Sequence, residues 1–407
     1  MASHRITPLP PAHHLSAVDS PTGGRDGRGH AVALAAVWTV TRLGMLALLL
    51  VDQLGDAAVA GEVHALYRSW YERLIEGSFP VGDATWQYPP GAASVFLAPA
   101  LLPWLTYFQA FVVLLLLCDA VITLALARAG IRGAWLWVGA LPLLLNLPFA
   151  RYDLPVTAVA VLALLALRGR PHLAGALAAI GATLKVWPVL TLLGTPRGRV
   201  TRIVWFSAAA SAVVLLTTVT IGFRHTLSFL EQQRSRGVQI ESLGGSVLQF
   251  ARQLGWSGEV GFQYGAFEVL GPHVTAVARL SLVLSAAALC WLGYWRIRAR
   301  RWSPATPLDA AFTALLLFTV TSRVISPQYL IWLLGLAAVC LTSRHTCQRP
   351  VALLMVPAAA LSALAFPLLY DEVISGSAVG CLVLLLRNAL LATATVLACR
   401  RLWLSTV

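Results

Sequence analysis

Apolar stretches of membrane-crossing length recur along almost the whole chain, separated by short breaks rich in Arg or in Pro and Gly. A helix needs about 20 apolar residues to cross the hydrocarbon core, and lipid cannot satisfy an open backbone. The pattern therefore predicts an all-α polytopic membrane protein of about 10–12 transmembrane or re-entrant helices. The expected spans are 31–51, 106–128, 134–150, 153–168, 172–193, 202–223, 274–298, 306–323, 326–343, 350–369 and 377–399.

Two segments do not fit a simple alternation of sides. The stretch 91–105 is short and bounded by Pro, so we expect a helix that lies in the outer membrane interface. The stretch 172–193 leads from one Arg-rich break to another and contains Lys185 followed by Trp187 and Pro188. A single span and a broken, re-entrant pair of half-helices both remain open for it.

Composition agrees with a membrane protein, because 58% of residues are hydrophobic and only 12% are charged, against about 25% in soluble domains. The net charge of +13 is scattered as Arg groups between apolar runs, which argues against a nucleic-acid partner. The positive-inside rule predicts a plasma-membrane protein with both termini in the cytoplasm. Residues 1–29 read as a disordered cytoplasmic tail and 30–403 as one membrane domain with outer loops 52–90 and 224–273.

Several common chemistries have no support in the sequence. The six cysteines fall in apolar runs or in a predicted cytoplasmic break, so they predict neither disulfides nor a metal site. The chain has no GxxxxGK[ST] loop, no HExxH and no CxxC pair. Nucleotide hydrolysis and zinc chemistry therefore lose support.

The first outer loop carries the best candidates for a reaction at the membrane surface. Glu62 comes shortly after the first span, and Asp83 follows an amphipathic helix on which Tyr67 and Trp70 share a face. A carboxylate just outside the membrane is suited to act as a general base, a role worth about 10²- to 10⁴-fold in rate. The alternative is a solvated loop with an aromatic interfacial belt. The polar and aromatic candidates for substrate contact in this loop are Tyr67, Trp86, Gln87 and Tyr88.

Three further polar corners are predicted on the same side. Arg151 and Asp153 join two spans, where they either face a substrate or neutralise one another. The run 233–242 contains two guanidinium groups suited to a phosphate, with a solvated loop as the alternative. The run 322–329 packs Arg, Ser, Gln and Tyr where two spans meet. With the first outer loop these make four polar corners on one face, which predict a shared cavity. The candidates are Arg151, Asp153, Arg236, Gln239, Glu241, Arg323, Gln328 and Tyr329.

A few polar residues lie inside the predicted spans, namely Arg42, Asp119, Lys185, Arg387 and Asn388. A charge at the centre of a spanning helix costs about 2.5 to 3.5 kcal/mol on insertion scales, so these side chains are expected to face protein or a polar cavity. Three interpretations stay open. Asp119 pairs with Arg387 or Arg42, Lys185 or Arg387 binds a lipid phosphate, or the charges serve proton relay or transport.

Taken in order, these corners resemble glycosyltransferase family 87, the polyprenol-phosphate-mannose-dependent α-mannosyltransferases of the C-type superfamily. The similarity runs from about residue 31 to 400. The motifs that carry it are the acidic residue before Tyr67-Arg68-Ser69-Trp70-Tyr71, the Gly77-to-Pro80 turn with Trp86-Gln87-Tyr88-Pro89-Pro90-Gly91, Ala150-Arg151-Tyr152-Asp153, Lys185-Val186-Trp187-Pro188, Arg236-Gly237-Val238-Gln239-Ile240-Glu241-Ser242, Ser326-Pro327-Gln328-Tyr329-Leu330 and Arg387-Asn388.

The resemblance implies transfer of one sugar, mannose, from a polyprenyl-phosphate donor to a lipid or glycan acceptor at the outer membrane face, with inversion and with no metal or other cofactor. The family's base is an Asp early in the first outer loop, and the matching position here is Glu62, with Asp83 as the alternative. Lys185, Arg323 and Arg387 become candidates for the lipid phosphate. A transporter or lipid flippase, and a non-catalytic member of the same fold, are the competing hypotheses.

Overall fold

The computed structural model describes residues 24–230 and 236–407 and consists mainly of α-helices. In chain order the helices are α1 (Gly24–Val51), α2 (Arg68–Ile75), α3 (Ala93–Leu97), α4 (Tyr107–Ala129), α5 (Ile131–Ala140), α6 (Asp153–Ala166), α7 (Pro171–Leu184), α8 (Arg199–Gly222), α9 (Leu243–Gln253), α10 (Val274–Arg298), α11 (Thr306–Thr321), α12 (Tyr329–Leu341), α13 (Arg349–Ala363), α14 (Tyr370–Ser375) and α15 (Ala378–Thr406).

The predicted all-α membrane fold is confirmed, and each predicted span contains a helix. Within the described residues, six helices are long and apolar enough to cross a membrane: Gly29–Val51, Tyr107–Ala129, Arg199–Gly222, Val274–Arg298, Arg349–Leu368 and Ala378–Thr406. Shorter apolar helices of 10–17 residues occupy the remaining predicted spans. The segment predicted to lie in the interface also forms a short apolar helix, Pro90–Leu101.

One predicted boundary changes, and of the two alternatives left open for 172–193 the structure shows a break. Helix α1 begins at Gly24, so residues 24–29 of the predicted tail are helical, and residues 1–23 lie outside the described part of the chain. A helix satisfies its own backbone, which allows it to continue past the apolar stretch into a polar flank. The stretch 172–193 is broken: α7 ends at Leu184, Lys185 is extended, and a 3₁₀ helix occupies Trp187–Leu192. Pro188 has no N–H for an α-helical hydrogen bond, which accounts for the break.

The second outer loop contains a small sheet that the sequence analysis did not predict. Its strands are β1 (Val238–Gln239), β2 (Glu259–Gln263) and β3 (Ala266–Leu270), antiparallel and in the order β1-β3-β2. Tyr264 and Gly265 connect β2 to β3 and both have positive φ, +51° and +73°. Such two-residue turns match the twist of a hairpin.

The buried core lies around α12, in which every residue from Leu330 to Cys340 is buried. Glycines allow the neighbouring helices to approach closely: a Cβ on Gly335 would lie 2.3 Å from Thr157 in α6, and one on Gly133 would lie 2.3 Å from the Ala338 carbonyl oxygen. Helices α8 and α10 are peripheral. None of the most apolar 18-residue stretch of α10 is buried, as expected for a surface that faces lipid.

The two outer loops pack against each other. The Arg224 N–H donates to the Gly77 carbonyl, and the Phe79 N–H donates to the Arg224 carbonyl. Gln87 Nε2 donates to the Tyr264 carbonyl in the β2–β3 turn, at 2.8 Å. These contacts join the loops 52–90 and 224–273, which the sequence predicts to be the first and second outer loops, into one assembly.

Candidate active site

Glu62 lies at the start of a short π-helical turn, Glu62–Tyr67, that leads into α2. The chain before it is held by Asp52, whose carboxylate accepts hydrogen bonds from the Val59 N–H at 2.9 Å and the Ala60 N–H at 2.8 Å. Asn146 Nδ2 donates to the same carboxylate at 3.0 Å. Asp52 thus fixes the segment that ends at Glu62 against the core.

Arg151 is the partner of Glu62. Its Nη2 lies 2.9 Å from Glu62 Oε1, and its Nη1 donates to the Val59 carbonyl at 3.1 Å and the Ala150 carbonyl at 2.8 Å. Burial lowers the pKa of Arg151, but Glu62 and other neighbouring groups raise it by more, so this pKa lies above its ordinary value. The buried guanidinium therefore stays charged beside the carboxylate.

Asp153 and Lys185 form the second ion pair of the site. Asp153 is the first residue of α6, and Lys185 directly follows α7. Lys185 Nζ lies 2.7 Å from Asp153 Oδ1, which also accepts a hydrogen bond from Trp332 Nε1 at 2.7 Å. Asp153 Oδ2 is buried and has no hydrogen-bond partner among the described residues. One oxygen of this carboxylate is thus available for a ligand hydroxyl.

Four aromatic rings surround the Lys185 ammonium. The distances from Nζ to the ring centroids are 4.5 Å for Trp332, 4.6 Å for Tyr152, 5.5 Å for Tyr329 and 5.8 Å for Tyr88. Such ring faces attract a cation. The Tyr152 hydroxyl is buried with no hydrogen-bond partner in the described part of the chain. The aromatic rings and this hydroxyl therefore surround the Lys185 ammonium.

The predicted corner around Asp83 is a structural element of the first outer loop. Its carboxylate accepts hydrogen bonds from Trp70 Nε1 at 2.9 Å and from the N–H and hydroxyl of Thr85. Burial raises the pKa of Asp83, but these hydrogen bonds lower it by more, so the pKa lies below its ordinary value. Tyr67 and Trp86 are buried and pack around Trp70, with ring centroids at 5.5 Å and 5.1 Å.

Arg236 and Arg323 lie at the third corner, next to Glu268 of β3. Arg236 donates to Gln87 Oε1, and its Nε lies 3.5 Å from Glu268 Oε1. The Gln239 N–H donates to the Arg323 carbonyl at 3.0 Å, which links β1 to the end of α11. Arg323 also interacts with the charges of Arg236 and Glu268. Two guanidinium groups therefore lie near one carboxylate.

Arg387 and Glu241 form a fully buried pair between α15 and the second outer loop. Arg387 Nη1 lies 2.9 Å from Glu241 Oε2, and the same guanidinium donates to the Glu241 carbonyl. Asn388 donates to the carbonyls of Glu241 and Ser242 and to the Ser246 hydroxyl. Arg387 is thus engaged in holding the second outer loop.

The structure brings most of the predicted site residues together. Tyr329 lies near enough to Arg236, Asp153 and Glu241 to interact with their charges, so three of the corners are close to it. Tyr329 also stacks on Trp332 with 4.0 Å between ring centroids, and Gln328 precedes it at the start of α12. Arg151 and Asp153 pair with Glu62 and Lys185 rather than with each other. The predicted guanidinium at Arg234 lies outside the described residues.

Sequence reasoning missed Tyr152, Trp332, Glu268, Asp52 and Asn146. Tyr152 lies inside a motif that had been singled out, and Trp332 follows Tyr329 by three residues, which places both on one helix face. Within the described residues, no group of three or more His, Cys, Asp or Glu side chains is arranged to hold a metal ion. That the reaction uses no metal stays a prediction.

Of the charged residues predicted within spans, Asp119 pairs with Arg42. Arg42 Nε and Nη2 donate to the two oxygens of Asp119 at 2.8 and 2.9 Å, and Trp38 and Trp137 donate to them as well. Of the two partners expected for Asp119, the structure selects Arg42. This pair ties α1 to α4 inside the core.

Comparison with family models matches residues 86–327, more than half of the chain, to the model described as glycosyltransferase family 87. Comparison with curated proteins and with solved structures gave no match. The matched segment contains Arg151, Asp153, Lys185, Arg236 and Arg323. Glu62 and Arg387 lie outside it.

Proposed function

The chain belongs to glycosyltransferase family 87 and is a membrane glycosyltransferase. On this premise we propose that it transfers a hexose, mannose, from a polyprenyl-phosphate donor to the hydroxyl group of a lipid or glycan acceptor. The single observation that carries the proposal is the ion pair between Arg151, which is 6% exposed, and Glu62, which is 40% exposed. A buried cation fixes a carboxylate whose outer oxygen remains open to an acceptor.

In the proposed reaction Glu62 is the general base. The acceptor hydroxyl gives its proton to the Glu62 carboxylate while its oxygen forms a bond to the anomeric carbon of the donor sugar. The bond between that carbon and the phosphate oxygen breaks, and its electron pair leaves with the polyprenyl phosphate. Attack from the face opposite the leaving group inverts the configuration.

Asp83 is the weaker candidate for the base. Its carboxylate oxygens already accept hydrogen bonds from Trp70 and Thr85. These hydrogen bonds also favour the ionised form, as its lowered pKa indicates. Both oxygens of Asp83 are thus occupied, whereas only one oxygen of Glu62 contacts Arg151 and its side chain is 40% exposed. We therefore assign the proton transfer to Glu62 and a structural role to Asp83.

The leaving phosphate needs positive charge, and Lys185, Arg236 and Arg323 are the groups that best supply it. Lys185 and Arg236 each keep 15% of their side chain exposed, and Arg236 lies in electrostatic contact with both Lys185 and Arg323. Cations aimed at a developing negative charge lower the barrier for its departure. Arg387 is fully buried against Glu241, so its contribution is to position the second outer loop.

An apolar cavity beside this corner supports a lipid-linked donor. The cavity has a volume of about 190 Å³ and lies between α3 with the residues just before it, α7 and α8. Its walls include Pro90 and Gly91, which follow Tyr88, and Thr183 and Leu184, which precede Lys185. An isoprenoid chain in this cavity would bring its phosphate to the Lys185 side of the site.

The groups around Lys185 are suited to the sugar. The rings of Tyr88, Tyr152, Tyr329 and Trp332 offer flat apolar faces, and Asp153 Oδ2 and the Tyr152 hydroxyl offer an acceptor and a donor. Buried polar atoms without partners favour a ligand that completes their hydrogen bonds. We place the donor hexose here, with the site on the extracytoplasmic side of the plasma membrane.

The test is transfer by purified protein in nanodiscs, with radiolabelled polyprenyl-phosphate-mannose and a native membrane lipid extract. We expect a labelled glycolipid with the wild type and with Asp83→Asn, and loss of at least about 10²-fold with Glu62→Gln and with the double variant. Transfer by folded Glu62→Gln would refute the base assignment. Movement of the donor across the membrane without any covalent product would favour a flippase.

A further inference from the structure

A second cluster of polar contacts lies at the membrane face opposite Glu62. It consists of Arg197, just before α8, Arg296, near the end of α10, and Trp302. Helix α8 is 24 residues long, and its other end at Gly222 adjoins Arg224, which hydrogen-bonds to the first outer loop. At 1.5 Å per residue the two ends are about 36 Å apart, the thickness of a bilayer core and part of its interface.

The two guanidinium groups of this cluster are held in fixed positions. Arg197 Nη2 donates to the carbonyls of Arg296 and Ile297, the latter at 2.8 Å. Arg296 Nη2 donates to the Thr201 hydroxyl at 3.3 Å. The Cζ of Arg296 lies 4.7 Å from the Trp302 ring centroid and that of Arg197 lies 6.0 Å from it. The indole therefore contacts both cations.

In the part of the chain that the structure describes, no carboxylate neutralises either charge. Within the described residues, no carboxylate is in an ion pair with Arg197 or Arg296. Arg296 Nη1 is buried and lacks a hydrogen-bond partner in the same part of the chain. A buried N–H without a partner and two neighbouring like charges are both unfavourable in a native protein. An anion between the two guanidinium groups would relieve both.

We propose that this cluster binds the phosphate of an anionic phospholipid from the leaflet on that side. Guanidinium groups bind phosphate oxygens through paired hydrogen bonds, and Trp is favoured at the membrane interface. The adjacent surfaces are apolar and open: Phe206 of α8 is 76% exposed and Leu289 of α10 is 61% exposed. Acyl chains along these helices and a headgroup at the Arg pair match the two parts of one phospholipid.

General attraction of basic loops to anionic lipid is the simpler explanation, and the chain offers a control for it. Arg128 and Arg132 flank the short connection between α4 and α5, and both are exposed. A double change there removes the same charge as a double change of Arg197 and Arg296. Only the second pair combines Trp contacts with a buried N–H that lacks a partner.

The experiment measures retained phosphatidylglycerol and phosphatidylcholine by native mass spectrometry after reconstitution in an equal mixture of the two and extraction in a neutral detergent. We expect the wild type to keep phosphatidylglycerol preferentially and Arg197→Gln/Arg296→Gln to lose about tenfold of that preference. Arg128→Gln/Arg132→Gln should keep it. Arg197→Gln alone changes an exposed side chain, so its reduced preference tests the site if the double variant fails to fold.

Three results would overturn the proposal. Equal retention by the wild type and Arg197→Gln/Arg296→Gln would show that the two Arg residues do not hold the lipid, and equal losses in both double variants would leave only general electrostatics. The third is a shift in unfolding temperature caused by inorganic phosphate in phosphatidylcholine nanodiscs and lost with Arg197→Gln/Arg296→Gln. It would identify a site for a free anion instead of a lipid. Neither readout depends on sugar transfer.

Discussion

Arg151 Nη2 lies 2.9 Å from Glu62 Oε1, yet the Arg side chain is 6% exposed and the Glu side chain 40% exposed. The guanidinium is fixed from behind by the carbonyls of Val59 and Ala150, and the carboxylate faces outward. The segment between α1 and Glu62 is fixed in turn by Asp52. The pair therefore presents an oriented base whose reactive side is not covered by its own partner.

We expect Arg151→Gln to lower the rate of sugar transfer by about 10²-fold, because Glu62 loses the group that orients it. The double variant Glu62→Gln/Arg151→Gln should be no slower than Glu62→Gln alone, since the two residues act as one unit. Initial rates of labelled product formation for the four proteins provide the measurement. The matched control is Arg68→Gln, whose ion pair with Glu72 is exposed and should contribute little. Losses that multiply would show that Arg151 acts independently of Glu62.

The Asp153 and Lys185 pair should matter for both stability and transfer. Asp153 is 1% exposed, so Asp153→Asn leaves a poorly compensated ammonium in the core and is expected to cost about 3 to 5 kcal/mol in the free energy of unfolding. Asp153→Asn/Lys185→Met removes that charge and should recover much of the stability without recovering transfer. Unfolding temperatures and transfer rates on the same samples test both statements. Transfer restored by the double variant would contradict a role in the site.

The Arg42 and Asp119 pair is expected to be structural only. Asp119→Asn breaks a buried pair that also receives hydrogen bonds from Trp38 and Trp137, so a loss of about 3 to 5 kcal/mol is expected. The transfer rate per folded molecule should stay within about twofold of the wild type, since the partners of this pair are Trp38, Trp137 and the Val138 carbonyl rather than a candidate site residue. A selective loss of rate with unchanged unfolding would instead support the relay interpretation.

The helical spans followed from the sequence because apolar runs are a local pattern, and so did the proximity of the polar corners; the roles of the site residues stay predictions. Apolar runs predict helices wherever they lie, and polar corners between spans must meet on one side of the membrane. The partners of each charge did not follow. Asp153 could have paired with Arg151, two residues away, but the start of α6 directs it to Lys185, which lies 32 residues further on. Such a choice depends on how the helices pack.

The small sheet had a signal that was missed. Residues 259–270 alternate between the two faces of a hairpin, and Tyr264-Gly265 is a two-residue turn at its centre. The prediction of a helical membrane protein directed attention to long apolar runs, and this segment is short. Glu268 lies on the same hairpin, so its contact with Arg236 was missed with it.

Asp83 predicts a specific dependence of stability on pH. In the folded protein the pKa of Asp83 lies below its ordinary value of about 4. The ionised carboxylate therefore stabilises the fold at neutral pH, and this contribution is lost as the pH falls through the folded pKa. Asp83→Asn should therefore unfold at a lower temperature than the wild type at pH of about 7, and the difference should shrink below about 4. Unfolding of both proteins in detergent across this range is the measurement. A constant difference would contradict the hydrogen-bond explanation.

Arg236 should govern affinity for the donor phosphate. Its Nε is buried with no hydrogen-bond partner in the described residues, and its guanidinium lies between Gln87 and Glu268, with Arg323 nearby. Arg236→Lys keeps the charge but loses the planar fork, so the KM for the polyprenyl-phosphate sugar should rise about tenfold while kcat changes less. Arg224→Gln removes an exposed charge from the same outer face and serves as the control. An equal rise in KM for both variants would mean that the outer face attracts the donor only through its net charge. A fall in kcat without a change in KM would mean that Arg236 assists departure of the phosphate instead of binding the donor.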